Sequence, residues 1–176
     1  MDSSATMIHK VLLQSFCVLS KESNMLEIKE NQELQVVNLL SYRGKVRLAE
    51  FENIGKEMES CIQNAGAKRV GNPITATYAI EGDIIDVELL MPIDMIINST
   101  DKFVFKSQIK IVNAVNAAYK GHLMGLQEAY NQLNQYIKER KLQPITAGYN
   151  VTNKNDALNP ENTEIDIYVG ISPNIL

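Results

Sequence analysis

Glu88 and Tyr168 are the two side chains whose types and positions could do chemistry together in this 176-residue chain. Glu88 lies in IDVELLMP (85–92) and Tyr168 in IDIYVGIS (165–172), two segments that share an opening Ile-Asp and an alternating apolar pattern. An acid and an aromatic ring at equivalent places could hold a flat or cationic molecule through charge and stacking. The alternative is that Glu88 is a solvated carboxylate on an open sheet face.

Four further tyrosines occupy repeated positions. The segments PITATY and PITAGY end at Tyr78 and Tyr149, and the segments SYRGKV and AYKGHL carry Tyr42 and Tyr119 two residues before a glycine. All four are candidate ligand contacts. Strand alternation leaves two interpretations of Tyr78 and Tyr149 open: a packed ring with its hydroxyl at the rim, or a ring that lines a cleft.

The matched segments occur in the same order in both halves of the chain. SYRGKV, PITATY and IDVELLMP are followed by AYKGHL, PITAGY and IDIYVGIS, and the offsets between partners differ only by a few residues, as changes in loop length would produce. This order predicts an internal duplication, with repeat 1 at about 30–95 and repeat 2 at about 102–174.

Each half is predicted to fold as strand, helix, strand, strand. In the last strand of each half, alternate apolar residues should pack under a helix: Ile85, Val87, Leu89 and Met91, and then Ile165, Ile167, Val169 and Ile171. The opposite face should carry Asp86, Glu88 and Leu90, and then Asp166, Tyr168 and Gly170. Two helical stripes are expected, from Leu48, Phe51, Gly55, Met58, Ile62 and Ala65, and from Leu123, Leu126, Tyr130, Leu133 and Ile137.

These elements predict an α+β fold of duplicated β-α-β-β units related by a pseudo-two-fold axis. A curved antiparallel sheet would carry the two main helices on one face. Its other face would form a concave surface between the halves, and such a junction is a common place for a small ligand.

We expect one domain over residues 25–176, preceded by an N-terminal extension at 1–24. Apolar residues at helical spacing predict a short helix in the extension, which would pack either on its own domain or on a second copy in a homodimer.

Bulk composition narrows the function classes. The net charge of −4 and the absence of a basic segment argue against direct nucleic-acid binding. No apolar run has the length of a membrane span, the first residues do not follow a signal-peptide pattern, and Cys17 and Cys61 stand in apolar surroundings as reduced thiols do, so we expect a cytoplasmic protein. No metal-ligand spacing or phosphate-binding loop is evident, and we expect no cofactor or metal.

With these segments in place, the chain resembles the GyrI-like effector-binding domains, which are also found attached to AraC-type and MerR-type bacterial transcription regulators. The resemblance covers about residues 30–173, and AYKGHLMGLQEAYNQLNQYIKERKL and TEIDIYVGISP carry it best. It implies a duplicated fold whose cleft, with Tyr149 in its lining, binds apolar and often cationic drug-like compounds. The position of the family acid that commonly meets the cation, two places before Tyr149, is Ala147, whereas the acid of the last strand is kept as Asp166, matched by Asp86.

The leading hypothesis is therefore a small-molecule-binding domain for an apolar or aromatic ligand, related to effector domains of transcription regulators and without a DNA-reading unit of its own. An alternative is a GyrI-like protein-interaction or inhibitor module. A third is a small hydrolase with Glu88 as base and a tyrosine as acid. Because Ala147 replaces the family acid, we favour binding over catalysis.

Overall fold

The computed structural model describes residues 26–155 and 158–173, and its elements run β-α-β-β twice. The first half comprises β1 (Glu27–Arg47), α1 (Phe51–Asn64), β2 (Ile74–Glu81) and β3 (Ile84–Pro92). The second half comprises β4 (Val104–Lys120), α2 (Leu126–Glu139), β5 (Pro144–Lys154) and β6 (Glu164–Ile171). The predicted α+β class is confirmed. The predicted N-terminal helix and Cys17 lie outside the described residues.

All six strands pair antiparallel, in the order β1-β3-β2-β5-β6-β4, and β4 pairs back onto β1 so that the sheet closes on itself. The repeated segments PITATY and PITAGY lie in β2 and β5, which pair with each other antiparallel and place Ala76 opposite Tyr149. Antiparallel pairing of equivalent strands is the arrangement that a half-turn between the halves requires. The origin of the two halves by duplication stays a prediction.

The strands β1 and β4 are the longest of the six, with 21 and 17 residues, and they pair with each other along most of their length. Asn31, Asn38 and Asn113 within them have positive φ values of 55°, 51° and 58°. Asparagine tolerates the left-handed region better than most residues with a side chain. These positions, together with the register shifts beside Asn31, allow the long strands to bend as the sheet closes.

Each helix packs mainly on the strands of its own half, and Ile28 of β1 also packs against the cluster under α2. In α1 the buried residues are Ile54, Met58 and Ile62, and in α2 they are Ala129, Leu133 and Ile137. The facing strand residues are those that alternation predicted: Ile85, Val87, Leu89 and Met91 under α1, and Ile165, Ile167, Val169 and Ile171 under α2. We call this helix-covered side of the sheet the outer face, and the other side the inner face.

The predicted helical stripes extend too far toward the N-terminus. Leu48 and Leu123 precede the helices, in the 3-10 turns Leu48–Glu50 and Leu123–Gly125, and they are 64% and 50% exposed. A 3-10 helix has 3.0 residues per turn, whereas an α-helix has 3.6, so the side chains of the 3-10 turn do not line up with the buried stripe of the α-helix that follows.

The inner face is filled at its centre by the chain's own side chains. Leu39, Ile74 and Leu90 form one cluster there and Leu34, Ile111 and Ala114 another, and both clusters pack against Val36, Ile109, Tyr149 and Val151. The concave surface expected from the sequence is therefore largely a second core. Among the described residues, neither helix has the length and apolar character needed to cross a bilayer.

Candidate functional site

Strand pairing brings three of the candidate residues to the inner face, and hydrogen bonds connect Tyr78 to two of them. Tyr149 stands opposite Tyr168 on β6 and opposite Ala76 on β2, and Ala76 stands opposite Glu88 on β3. Directly opposed residues of antiparallel strands project from the same face. Glu88, Tyr149 and Tyr168 therefore lie in one row that crosses four strands, with Ala76 between Glu88 and Tyr149. Tyr78 joins this row through its hydroxyl group.

The carboxylate of Glu88 is buried, with 4% of the residue exposed. Its Oε1 accepts from the hydroxyl of Ser41 at 3.1 Å and pairs with the ammonium of Lys106, while its Oε2 accepts from the hydroxyl of Tyr78 at 3.0 Å. A buried carboxylate is tolerated only where such partners replace its water. The interpretation of Glu88 as a solvated surface acid is therefore wrong.

These partners also determine the charge state of Glu88. Burial raises the pKa of the Glu88 carboxyl, but the hydrogen bond and charge of Lys106, together with the hydrogen bonds from Tyr78 and Ser41, outweigh it, and the pKa lies below its usual value. Glu88 is therefore ionised at neutral pH and accepts hydrogen bonds without donating any.

Tyr78 and Tyr149 form a directed chain of hydroxyl groups toward this charge. Their oxygens lie 3.3 Å apart, and Tyr78 already donates its proton to Glu88. Tyr149 must therefore donate to Tyr78. Burial raises the pKa of Tyr78, and its hydrogen bonds to Tyr149 and Glu88 raise it further, so that the phenol stays protonated. Burial, with the nearby charge of Asp166, also raises the pKa of Tyr168.

A second cation lies on the aromatic face of the same cluster. The guanidinium carbon of Arg43 is 4.0 Å from the centroid of the Tyr78 ring, a distance at which the ring attracts a cation. Arg43 also binds the carboxylate of Asp86 with both terminal nitrogens, at 3.1 Å for Nη2–Oδ2. The hydrogen bond from Arg43 lowers the pKa of the Asp86 carboxyl.

Tyr42 and Tyr119 lie on the outer face, away from Glu88. Tyr42 packs edge-on to Phe103 in the cluster under α1, with ring centroids 6.3 Å apart. Tyr119 packs in the cluster under α2, and its hydroxyl donates to the backbone carbonyl of His122 at 2.6 Å.

The repeated Tyr-x-Gly pattern has a packing explanation. A Cβ atom at Gly44 would lie 3.0 Å from the hydroxyl oxygen of Tyr42, and one at Gly121 would lie 2.8 Å from that of Tyr119. Each tyrosine ring thus folds back over a glycine that leaves room for it. Tyr42 and Tyr119 lie in separate clusters, one under each helix, and neither cluster contains Glu88.

An apolar groove opens where β2 and β5 stop pairing. These strands are paired only at Ile74, Thr75 and Ala76 of β2. Beyond that point a groove of about 600 Å³ is lined by both halves. Its large exposed apolar residues are Leu48, Ile80, Leu123 and Met124, which are 64%, 67%, 50% and 86% exposed. Tyr78 belongs to both places, since its ring lines the groove and its hydroxyl reaches Glu88.

The wall of the groove on the side of α2 depends on Gly148. Tyr130 lines the groove and donates its hydroxyl to Oδ1 of Asn150 at 2.7 Å. A Cβ atom at Gly148 would lie only 2.4 Å from the Tyr130 hydroxyl and 2.7 Å from its ring carbon Cε1. Tyr130 can therefore lie across β5 only because position 148 has no side chain.

Sequence reasoning missed the cations and the groove. Lys106, Ser41 and Arg43 lie 18 to 47 positions from their partners in this cluster, and no motif marks them. No sequence signal set Leu48 and Leu123 apart, since their spacing continues the helical stripes, and only the structure places them in the 3-10 turns ahead of the helices. In the described ranges, no three His, Cys, Asp or Glu residues are grouped as metal ligands would be.

Comparison with known proteins finds solved structures with a similar fold. No family model and no curated protein matches the sequence. Among solved structures, the chain is similar to EcmrR in its complex with DNA, with a TM-score of 0.74 and 14% identity over 94% of this chain and 65% of that one. The crystal structure of the EcmrR C-terminal domain gives 0.67 and 13% over 84% of this chain and 98% of that one.

Two further structures share the architecture. A hydrolase from Listeria innocua gives a TM-score of 0.54 and 12% identity over 90% of this chain and 98% of that one. SAV2435, solved bound to tetraphenylphosphonium, gives 0.50 and 7% over 84% and 94%. The fold of this chain is thus that of the EcmrR C-terminal domain, and the chain spans 65% of the EcmrR chain seen with DNA.

Proposed function

We propose that this chain is a small-molecule-binding domain of the effector-binding type, which takes an apolar or aromatic ligand in the groove between its halves. One observation carries the proposal: a groove of about 600 Å³, lined by exposed apolar residues of both halves, meets the buried Glu88 through Tyr78. Ligand pockets commonly have this size and combine apolar walls with a few placed polar groups.

The energetic reason lies in the exposed apolar side chains. Met124 and Ile80 are 86% and 67% exposed. Covering apolar surface contributes about 25 cal/mol per Å², so a ligand lying against Leu48, Ile80 and Leu123 would gain affinity from both halves together. Tyr78 would supply a ring for stacking.

The resemblance to GyrI-like effector-binding domains supports the proposal, as does the ligand-bound state of SAV2435, a protein with a similar fold. In this chain the inner face is packed at its centre by Leu39, Ile74 and Leu90. We therefore place the ligand in the groove beside Tyr78, with Tyr149, Tyr168 and Glu88 behind it. The assignment of Tyr42 and Tyr119 as contacts receives no support from their position under the helices.

Thermal-shift titration with a panel of lipophilic aromatic compounds tests the proposal. At least one compound should raise the melting temperature in a saturable way. Leu123→Asn should weaken that shift, since it places an amide in the groove wall, whereas Ile96→Asn, at an exposed isoleucine outside the groove, should leave it unchanged. Equal effects of the two substitutions would count against the groove.

A protein partner is the second candidate, because the same exposed apolar residues could be covered by a protein surface. If the groove binds a protein, Leu123→Asn should abolish capture of one defined partner. No small molecule should then shift the melting temperature. The hydrolase alternative has weaker support. A general base benefits from a raised pKa and a free oxygen, whereas the pKa of Glu88 is lowered and both its oxygens accept hydrogen bonds.

A further inference from the structure

We infer that the ligand of this groove is an uncharged aromatic molecule rather than a cation, because the chain's own Lys106 already pairs with the acid and its Arg43 already covers one face of the Tyr78 ring. This inference rests on the proposed function and specifies its ligand class.

The acid is already neutralised. Glu88 is 4% exposed and its Oε1 pairs with the ammonium of Lys106. An incoming cation would have to displace this ammonium and leave it without its carboxylate. Replacing one cation beside the buried Glu88 by another yields little net affinity, because the incoming cation must lose water to take the place of an ammonium that already pairs with the acid.

One face of the Tyr78 ring is also occupied. The guanidinium of Arg43 lies over the Tyr78 ring, and its contacts with both oxygens of Asp86 hold it there. Arg43 stands opposite Glu88 in the strand register, so the backbone pairing of β1 with β3 fixes its place as well. A ligand cation on the other face of the ring would be repelled by this positive charge, whereas an uncharged aromatic ring could stack there.

The charges of the cluster balance. Glu88 and Asp86 supply two negative charges, and Lys106 and Arg43 supply two positive ones. Of the described residues that line the groove, none carries a formal charge. The polar ones are amides and hydroxyls, among them Gln127, Asn134 and Tyr130. Such groups can donate to and accept from an uncharged polar substituent on an aromatic ligand.

Three phenyl-bearing probes test the inference: tetraphenylphosphonium, tetraphenylborate, which has nearly the same shape and the opposite charge, and uncharged triphenylphosphine oxide. Calorimetric titration of the full chain should show that triphenylphosphine oxide binds at least as tightly as tetraphenylphosphonium. Binding of the phosphonium about tenfold tighter than both other probes would overturn the inference and leave the proposed function standing. A tenfold difference in affinity is only about 1.4 kcal/mol, so a preference for one charge would not abolish binding of all three probes. If none of the three shows saturable binding, the proposed function itself fails.

Lys106→Met then asks whether the internal ammonium sets this preference. This substitution removes the cation that pairs with Glu88 and leaves its negative charge available to a ligand. The affinity for tetraphenylphosphonium relative to tetraphenylborate should therefore rise by about tenfold or more. Lys110→Met removes a similarly exposed lysine of β4, which pairs with Glu33, and should leave the ratio unchanged. An unchanged ratio in folded Lys106→Met contradicts the inference. If that variant does not fold, the wild-type order of the three probes decides.

Discussion

The hydroxyl oxygens of Tyr78 and Tyr149 lie 3.3 Å apart, although the two residues are 71 positions apart in the chain. They end the two matching segments PITATY and PITAGY, and they meet because β2 and β5 pair antiparallel. Each half contributes one tyrosine, and only the first contributes the acid that orients both. The cluster is therefore a property of the assembled halves.

The direction of the hydroxyl chain can be tested with two phenylalanine variants. Tyr78→Phe removes the proton donated to the buried Glu88 and also leaves Tyr149 without its acceptor. We expect it to lower the free energy of unfolding by about 1–3 kcal/mol, because a buried charge loses a partner. Tyr149→Phe removes only the outer link and should cost about 0.5–1.5 kcal/mol. Urea denaturation measures both.

The double variant supplies the control for this prediction. If the two hydroxyls act in one chain, the effects of Tyr78→Phe and Tyr149→Phe should not add. A cost of Tyr149→Phe equal to or above that of Tyr78→Phe would show that the chain does not run toward Glu88.

Glu88 should make stability depend on pH. Burial works against its charge, yet Lys106, Tyr78 and Ser41 bring the pKa of Glu88 below its usual value in the folded state. A lowered folded pKa means that the unfolded chain binds the proton more readily. The stabilisation is complete above the ordinary glutamate pKa and is lost as the pH falls through the folded pKa.

Glu88→Gln should therefore be less stable than wild type at pH 7, and the difference should shrink as the pH is lowered below the ordinary pKa of glutamate. Urea midpoints across the acid range measure this dependence. Glu50→Gln changes an exposed acid beside α1 and should follow the wild-type curve closely. A constant gap between Glu88→Gln and wild type at every pH would contradict the assignment.

Gly148 should tolerate no side chain. Its Cβ would lie 2.4 Å from the Tyr130 hydroxyl, so we expect Gly148→Ala to lower the free energy of unfolding by about 1–3 kcal/mol through overpacking. Ligand binding in the groove should weaken as Tyr130 is displaced. Thermal or urea unfolding gives the stability, and titration with any ligand found gives the affinity.

Gly55 provides the matched control. It lies inside α1, and its Cβ would meet only the Cε of Met91 at 3.9 Å, an ordinary contact. Gly55→Ala should therefore stabilise the protein by about 0.5–1 kcal/mol, since glycine is costly within a helix. If Gly148→Ala were equally stabilising, the position of Tyr130 over β5 would be wrong.

The two helix-covered cores should contribute similarly to the free energy of unfolding. Met58 in α1 and Leu133 in α2 are both fully buried. Truncation to alanine should cost about 2–5 kcal/mol in each case, measured by urea denaturation. Because β1 pairs with both β3 and β4, unfolding of either variant should remain a single transition. A separate early transition confined to one half would contradict this coupling.

The alternation within the last strand of each half could be read from the sequence. Ile85 and Met91 pack under α1, and Ile165 and Ile171 pack under α2, as predicted. The inward position of Glu88 follows from the same argument. These predictions succeed because a strand turns successive side chains to opposite faces, whatever its neighbours are.

The surroundings of those side chains were decided only by the tertiary structure. The sequence placed Glu88 on a face without showing that Lys106, 18 positions away, would neutralise it. It also counted Leu48 and Leu123 among the buried residues, whereas both line an exposed groove. Backbone periodicity is local and can be read along the chain. Charge pairing, cavity filling and the meeting of Tyr78 with Tyr149 depend on which distant strands come together, and closure of the six-stranded sheet determines that.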